Sequence, residues 1–329
     1  MITVREGKRG VGKDGEVRCT VVGAGVIGLS CAWRLVEAGH EVRLVADREP
    51  GSTTSAVAAA IWYPYLAEPR ERVGGWGATT YEVLRDLATA EPTAGIRMRP
   101  GVELFGTAQT DPWWSEAVPD LRRLNLPELP SGMADGWTFT SPVVDMPVYL
   151  AWLRTRLAAR GVDLVTRHVT DLDDELEHND VVINCTGLAS RGLVGDHLLE
   201  PVRGQVVIMT NPGLASWSLH DAGPGELTYV VPRLETIIVG GTAERGSEEL
   251  VPEPATADAI LTRALRIVPV LAAARVLAHD VGLRPSRTEV RLEREDRSGG
   301  VIVHCYGHGG AGVTLSWGCA AEVVELLAG

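Results

Sequence analysis

Lysine is almost missing from this chain. Lys8 and Lys13 are the only two, so arginine supplies the other 29 of its 31 basic residues, and neither lysine falls in the part that reads as folded, from about Val17 onward. That excludes chemistry resting on a lysine amine within the fold, such as a pyridoxal Schiff base or a P-loop phosphate contact. No run of 18 or more apolar residues occurs, so no transmembrane helix and no membrane partner are expected. The five cysteines (19, 31, 185, 305 and 319) show neither CxxC nor finger spacing. They read as buried or reduced thiols of a cytoplasmic protein, with no metal site. The first 16 residues lack the apolar core of a secretory signal and read as a flexible polar leader, and the ending ELLAG is not a peroxisomal address. A formal charge of −12 argues against nucleic acid as a ligand.

What is present fits a globular protein: 329 residues, 45% hydrophobic, long enough for about two domains. No internal repeat is evident. A β-prone run at 17–22 stops at Gly23-Ala24-Gly25-Val26-Ile27-Gly28, a GxGxxG, after which Ile27, Cys31, Leu35 and Ala38 fall on one helical face before Gly39. Residues 41–46 read as a second strand that ends at Asp47, 24 positions after Gly23, close to the spacing of a ribose-binding acid. Gly23 permits the tight turn, Gly25 lets amides approach a pyrophosphate, and Gly28 lets helix meet strand. The helix then aims its positive end at the phosphates. Strand, turn, helix, strand and acid together predict dinucleotide binding, without separating FAD from NAD.

Further along, a hydroxyl-rich loop at 47–55 leads into the small residues 56–60. Residues 66–141 lack a βαβ rhythm and read as an excursion into a second domain. A helix is expected at 147–160 and strands at 162–165, 180–184 and 301–303, with a helix at 315–327. The β-rich runs 205–209, 227–231 and 236–239 predict an antiparallel sheet. Two stretches stand out: Gly282-Leu283-Arg284-Pro285-Ser286-Arg287, and the glycine loop 307–312 between strand and helix.

With VVGAGVIGLS (21–30), ADR (46–48), TTS and AAAIWYPY (53–65), NCTG (184–187), YVVP (229–232), GLRPSR (282–287) and HCYGHGGAGVTLSWGCA (304–320), the chain resembles the D-amino-acid oxidase family of flavoproteins from Thr20 to Leu327. The implied fold is α/β. It comprises a discontinuous Rossmann-type FAD-binding domain (17–65, 142–200, 275–329) and an α+β substrate-binding domain with an antiparallel sheet (66–141, 201–274). The resemblance implies non-covalent FAD. Ala24, Val26 and Ile27 would line the diphosphate turn, with Asp47 and Arg48 at the ribose and diphosphate, a contact continued by Thr53, Thr54 and Ser55. Ala59, Ala60 and Ile61 would lie along the isoalloxazine, and Val169 and Thr186 would touch the adenine half. Gly309, Gly312, Val313 and Thr314 would donate to the flavin pyrimidine edge. The family's carboxylate clamp falls on Arg284, also beside the cofactor, with the Tyr229 hydroxyl as second donor, while the Gly310 carbonyl would receive the α-amine. Ile61, Tyr63 and Val231 would shape the side-chain pocket.

The implied reaction is oxidative deamination of a D-amino acid to a 2-oxo acid and ammonia. Hydride passes from Cα to flavin N5, and O₂ is reduced to hydrogen peroxide. Ile61 and Val231 favour a neutral, apolar side chain. A D-aspartate or glycine oxidase would share most motifs, and the former would need a second buried cation, for which Arg233 and Arg245 are candidates. A non-catalytic FAD-binding protein, a nicotinamide-dependent dehydrogenase and a homodimer also stay open. His308 is expected as a loop histidine bonded to backbone rather than a metal ligand. Residues 216–225, with Trp217, form either a mobile cover or a packed loop.

Overall fold

The structure, a computed structural model, describes residues 17–65, 67–221 and 227–328. The leader at 1–16 and most of the glycine-rich end of the expected cover, 222–225, lie outside the described residues.

The chain begins β1 (Arg18–Val22), α1 (Val26–Glu37), β2 (Glu41–Ala46), α2 (Thr54–Val57) and α3 (Arg70–Ala90). There follow β3 (Ile96–Phe105), β4 (Arg122–Arg123), β5 (Asp135–Val144), α4 (Met146–Ala158), β6 (Leu164–Thr166), α5 (Asp173–Leu176), β7 (Val181–Asn184) and α6 (Ser190–Leu193). The remainder runs β8 (Glu200–Thr210), β9 (Trp217–Asp221), β10 (Thr228–Pro232), β11 (Thr236–Gly240), β12 (Glu244–Arg245), α7 (Pro254–Ile267), β13 (Val276–Arg297), β14 (Gly300–His308) and α8 (Gly312–Ala328).

The apolar run of β1 is buried between two parallel neighbours, β2 and β7, and β14 and β6 extend this parallel group on either side. Continuous hydrophobicity is what a strand covered on both faces requires. Helix α1 starts at Gly25 and stops where Gly39 adopts φ +86°, a left-handed cap available to glycine at little cost. Its buried stripe packs with α4 and α8 on one face of the sheet. There Trp33 stacks on Trp152 at 5.4 Å and meets Trp317 edge-on at 5.9 Å. Each fully buried large side chain here contributes roughly 1.5–3 kcal/mol of transfer free energy.

The expected antiparallel sheet exists, formed by β8, β11, β10 and β9; β3 then pairs parallel to β9, and β5 and β4 follow antiparallel. It is continuous with the parallel group through β13, which pairs with β8 over 276–286 and with β14 over 291–297. This long strand escapes sequence reading because its second half, RLEREDR, carries alternating charges on a largely solvated ribbon. Helix α3 also falls where no rhythm was expected. Gly74, Gly75, Gly77 and two threonines weaken its intrinsic propensity, yet Val73, Trp76, Thr80 and Leu84 form a buried stripe. It packs on α8, where a Cβ on Gly318 would lie 2.2 Å from Trp76 Cα. Thus part of the expected second domain completes the core of the first.

Trp217 is core and not cover. It is fully buried at the start of β9, tilted against Phe139 at 4.6 Å, and its Nε1 donates to the Arg99 carbonyl at 2.9 Å. No helix among the described residues is long and apolar enough to cross a membrane.

Candidate active site

The carboxyl ends of β1, β2, β6, β7 and β14 gather the residues expected around a dinucleotide: Ala24, Val26 and Ile27 after β1, Asp47 and Arg48 after β2, Val169 beyond β6, Thr186 after β7, and Gly309 and Gly312 after β14. The turn is tight. A Cβ on Gly28 would sit 1.8 Å from the Gly23 carbonyl oxygen, so strand and helix meet at a distance only glycine allows. The first turns of α1 and α8 contain no acidic residue, so the positive ends of both dipoles stay uncompensated. These features suit an anionic diphosphate and a flavin carbonyl edge, and the residues present fit FAD.

Four of the expected contact residues have hydroxyls that bond to the protein. Thr53 Oγ1 donates to the Pro50 carbonyl at 2.7 Å, Ser55 Oγ accepts from the Val26 N–H at 3.0 Å, and Thr186 Oγ1 donates to Asn184 Oδ1 at 2.8 Å. Thr314 Oγ1 donates to the Tyr63 carbonyl and accepts from the Tyr63 N–H, at 2.9 and 3.0 Å. These side chains shape loops, leaving main-chain amides for a cofactor. Asp47 and Arg48 form a two-bond ion pair at 2.7 and 3.0 Å, and the guanidinium holds the carboxyl below its usual range.

Beside this edge lies a cleft of about 880 Å³, counting its solvent-open mouth. One wall is residues 57–61 with Thr54, Tyr63 and Tyr65, and Gly310 and Val313 close the cofactor side. The opposite floor is one cross-strand row: Val206 on β8, Gly240 on β11, Tyr229 on β10 and Leu219 on β9 are direct partners. Residues opposite one another project from the same sheet face, so this register assembles the floor. Arg284 enters from β13. Its guanidinium lies against Gly204, where a Cβ would come within 2.4 Å of Nη1, and Nη1 donates to the Thr242 carbonyl at 2.8 Å. Arg284, Tyr229 and Gly310 therefore converge on one cavity, together with Thr54, Ala59, Ala60, Ile61, Tyr63 and Val313.

Val231 does not reach it. Fully buried beside Trp62, Trp114 and Phe139, it sits behind the pocket, and Leu219 and Leu227 supply apolar wall there. Tyr65, at the end of the AAAIWYPY segment, also lines the cleft. It packs on the Gly310 turn, and burial pushes its hydroxyl pKa up. Ala60 adopts φ +58°, the left-handed region that disfavours a Cβ. Arg233 is 5% exposed and donates from Nη2 to the Ala58 carbonyl at 2.5 Å, while exposed Arg245 pairs with Glu200. Neither candidate second cation lines the cleft.

The five cysteines are free and buried as expected. The His308 ring bonds no backbone group among the described residues. Its Nε2 lies 4.0 Å from Cys305 Sγ in a cluster with Cys319, which β14 and α8 bring together.

The sequence family described as DAO, FAD dependent oxidoreductase, matches residues 18–326. A D-amino-acid oxidase of Rubrobacter xylanophilus is 52% identical over 311 residues, covering 94% of this chain and 95% of that protein. A D-amino-acid oxidase of Streptomyces coelicolor is 44% identical, covering 95% and 97% respectively. Among solved structures, glycine oxidase from Bacillus cereus superposes with a TM-score of 0.79 at 20% identity, covering 95% of each chain, which shows a shared fold. With the glycine turn, two helix N-termini free of acidic residues and the cleft beside them in place, the chain belongs to the DAO family of FAD-dependent oxidoreductases.

Proposed function

We propose that this protein is a D-amino-acid oxidase acting on neutral side chains. The observation that carries this reading is the convergence of the Arg284 guanidinium, the Tyr229 ring and the Gly310 turn on a cleft otherwise walled by Ile61, Leu219, Leu227 and Val313. Its relatives at 52% and 44% identity bear that name.

A planar guanidinium matches a carboxylate in two parallel hydrogen bonds, and partial burial strengthens the pair. Thr242 holds one Nη of Arg284, which fixes the fork before substrate arrives. The Tyr229 hydroxyl donates to the same carboxylate, and the Gly310 carbonyl accepts from the α-amine. Three points fix the chirality at Cα, and the apolar wall receives the side chain. When bound, FAD supplies the two-electron acceptor for the Cα–H bond and passes the electrons to O₂. The protein's part is to position the substrate and exclude water.

The D-aspartate alternative lacks a second cation in the cleft, since Arg233 and Arg245 are engaged elsewhere. The test is an anaerobic visible titration of the holoenzyme with D-alanine, D-valine, D-aspartate and L-alanine. Bleaching by D-valine, reversed in air with peroxide release, supports the reading. Bleaching by D-aspartate alone, or by none of the four, overturns it.

A further inference from the structure

The row that floors the cleft does not stop at Leu219. Its next member, on β3, is Glu103, paired directly with Leu219. Glu103 is 2% exposed, and among the described residues its one hydrogen-bond partner is the Tyr63 hydroxyl, which donates to it. No basic side chain forms an ion pair with it among those residues.

Two strand spacings, about 10 Å, separate the backbones of Tyr229 and Glu103. The Tyr229 ring leans the other way, over Gly240 and Gly241 toward the Arg284 side. On the opposite side of the cleft from that ring lie Leu219 and Tyr63, and Glu103 stands behind the Tyr63 hydroxyl. We propose that Glu103 is a specificity-determining residue: standing behind Tyr63, which lines the cleft, its carboxylate form makes the far end of the side-chain pocket acidic and raises the acceptance of a D-amino acid whose side chain ends in a cation relative to an apolar one of equal length. This rests on the reading of the cleft as a D-amino-acid site.

The groups facing Glu103 are Tyr63 from the segment after α2 and Asp221 from the end of β9. One strand further along the row, Arg123 lies over the Trp137 ring at 4.4 Å and pairs with Asp111 and Asp135. The charge that acts on Glu103 is therefore another acid. Burial, the larger influence, raises the Glu103 carboxyl to about 7, while the Tyr63 hydrogen bond pulls it down. The pocket end is neutral in mild acid and anionic above neutrality.

The experiment compares kcat/KM for D-lysine and D-norleucine, near-isosteres that share their α-groups, from pH 5.5 to 8.5 on the holoenzyme. Titration of the α-amine or of the cofactor cancels in the ratio, and the lysine ammonium stays charged throughout. In the native enzyme the ratio rises about tenfold through pH 7. In Glu103→Gln, which keeps the size and still accepts from Tyr63, the ratio is flat at its low-pH value. In Tyr63→Phe the midpoint moves upward because the carboxylate loses its donor. A flat ratio in the native enzyme, or an equal rise in Glu103→Gln, overturns the proposal while leaving the oxidase reading intact. Turnover of neither substrate, nor of D-valine, overturns both.

Discussion

The Tyr229 ring lies against the backbone of Gly240, its antiparallel partner on β11, so closely that a Cβ on Gly240 would come 2.1 Å from Tyr229 Cζ and 2.3 Å from its hydroxyl oxygen. The tyrosine is thereby laid along the sheet toward β13 instead of standing upright in the cleft. Its hydroxyl is aimed at the Arg284 side because the neighbouring strand has no side chain there.

Gly240→Ala therefore forces Tyr229 off this path without touching the cofactor edge. KM for D-valine is expected to rise tenfold or more while the flavin absorbance per protein is unchanged. A native KM in the folded variant would show that the Tyr229 hydroxyl takes no part in holding substrate.

Arg284→Ala removes the guanidinium proposed to pair with the substrate carboxylate. Truncating one partner of a buried charge pair costs about 2–5 kcal/mol, so KM should rise by two orders of magnitude or more with FAD retained. Arg284→Lys should recover only part of the loss, since an ammonium cannot form the two-bond fork. Steady-state kinetics beside a flavin spectrum separate these outcomes from misfolding.

Ala60 is the one non-glycine residue with positive φ among the described residues. A Cβ in the left-handed region costs roughly 1–2 kcal/mol, of which glycine's greater unfolded freedom returns about 0.5–1. Ala60→Gly is expected to stabilise the holoenzyme by up to about 1 kcal/mol, a rise of about 2 °C in Tm. A lower Tm would mean that the surroundings favour the methyl group.

Glu103 also gives stability a pH dependence. Its folded-state pKa, about 7, lies above the ordinary carboxyl value, so folding binds a proton between roughly pH 4.5 and 7. The native state accordingly loses stability as pH rises through that window, by roughly 3 kcal/mol when complete. Glu103→Gln should match the native protein near pH 4.5 and exceed it at pH 8, as followed by thermal unfolding. Equal differences at both pH values would contradict a buried proton on Glu103.

The nucleotide half was largely legible because its signals are local. The GxGxxG turn, the 3.6-residue stripe of α1 and the short β-prone runs of β1, β2 and β7 each express what a few neighbouring residues need. The glycine at Gly39 was also readable, since positive φ is a property of the single residue. The strands β8, β10 and β11 were placed within a few residues except at the start of β8, where Pro201 and Gly204 obscure the run.

The sequence by itself determined the cofactor-binding βαβ unit, the antiparallel character of the second sheet and, through family motifs, the candidacy of Arg284 and Tyr229. Only the tertiary structure decided that Tyr65 and Leu219 line the cleft while Val231 lies behind it, and that the hydroxyls of Thr53, Thr186 and Thr314 turn to the protein. It alone set Glu103 at the end of the row. The reason is register. Which side chains share a face across five strands depends on how separate segments, in the case of β3 and β9 more than 100 residues apart, slide against one another, and no local period encodes that offset.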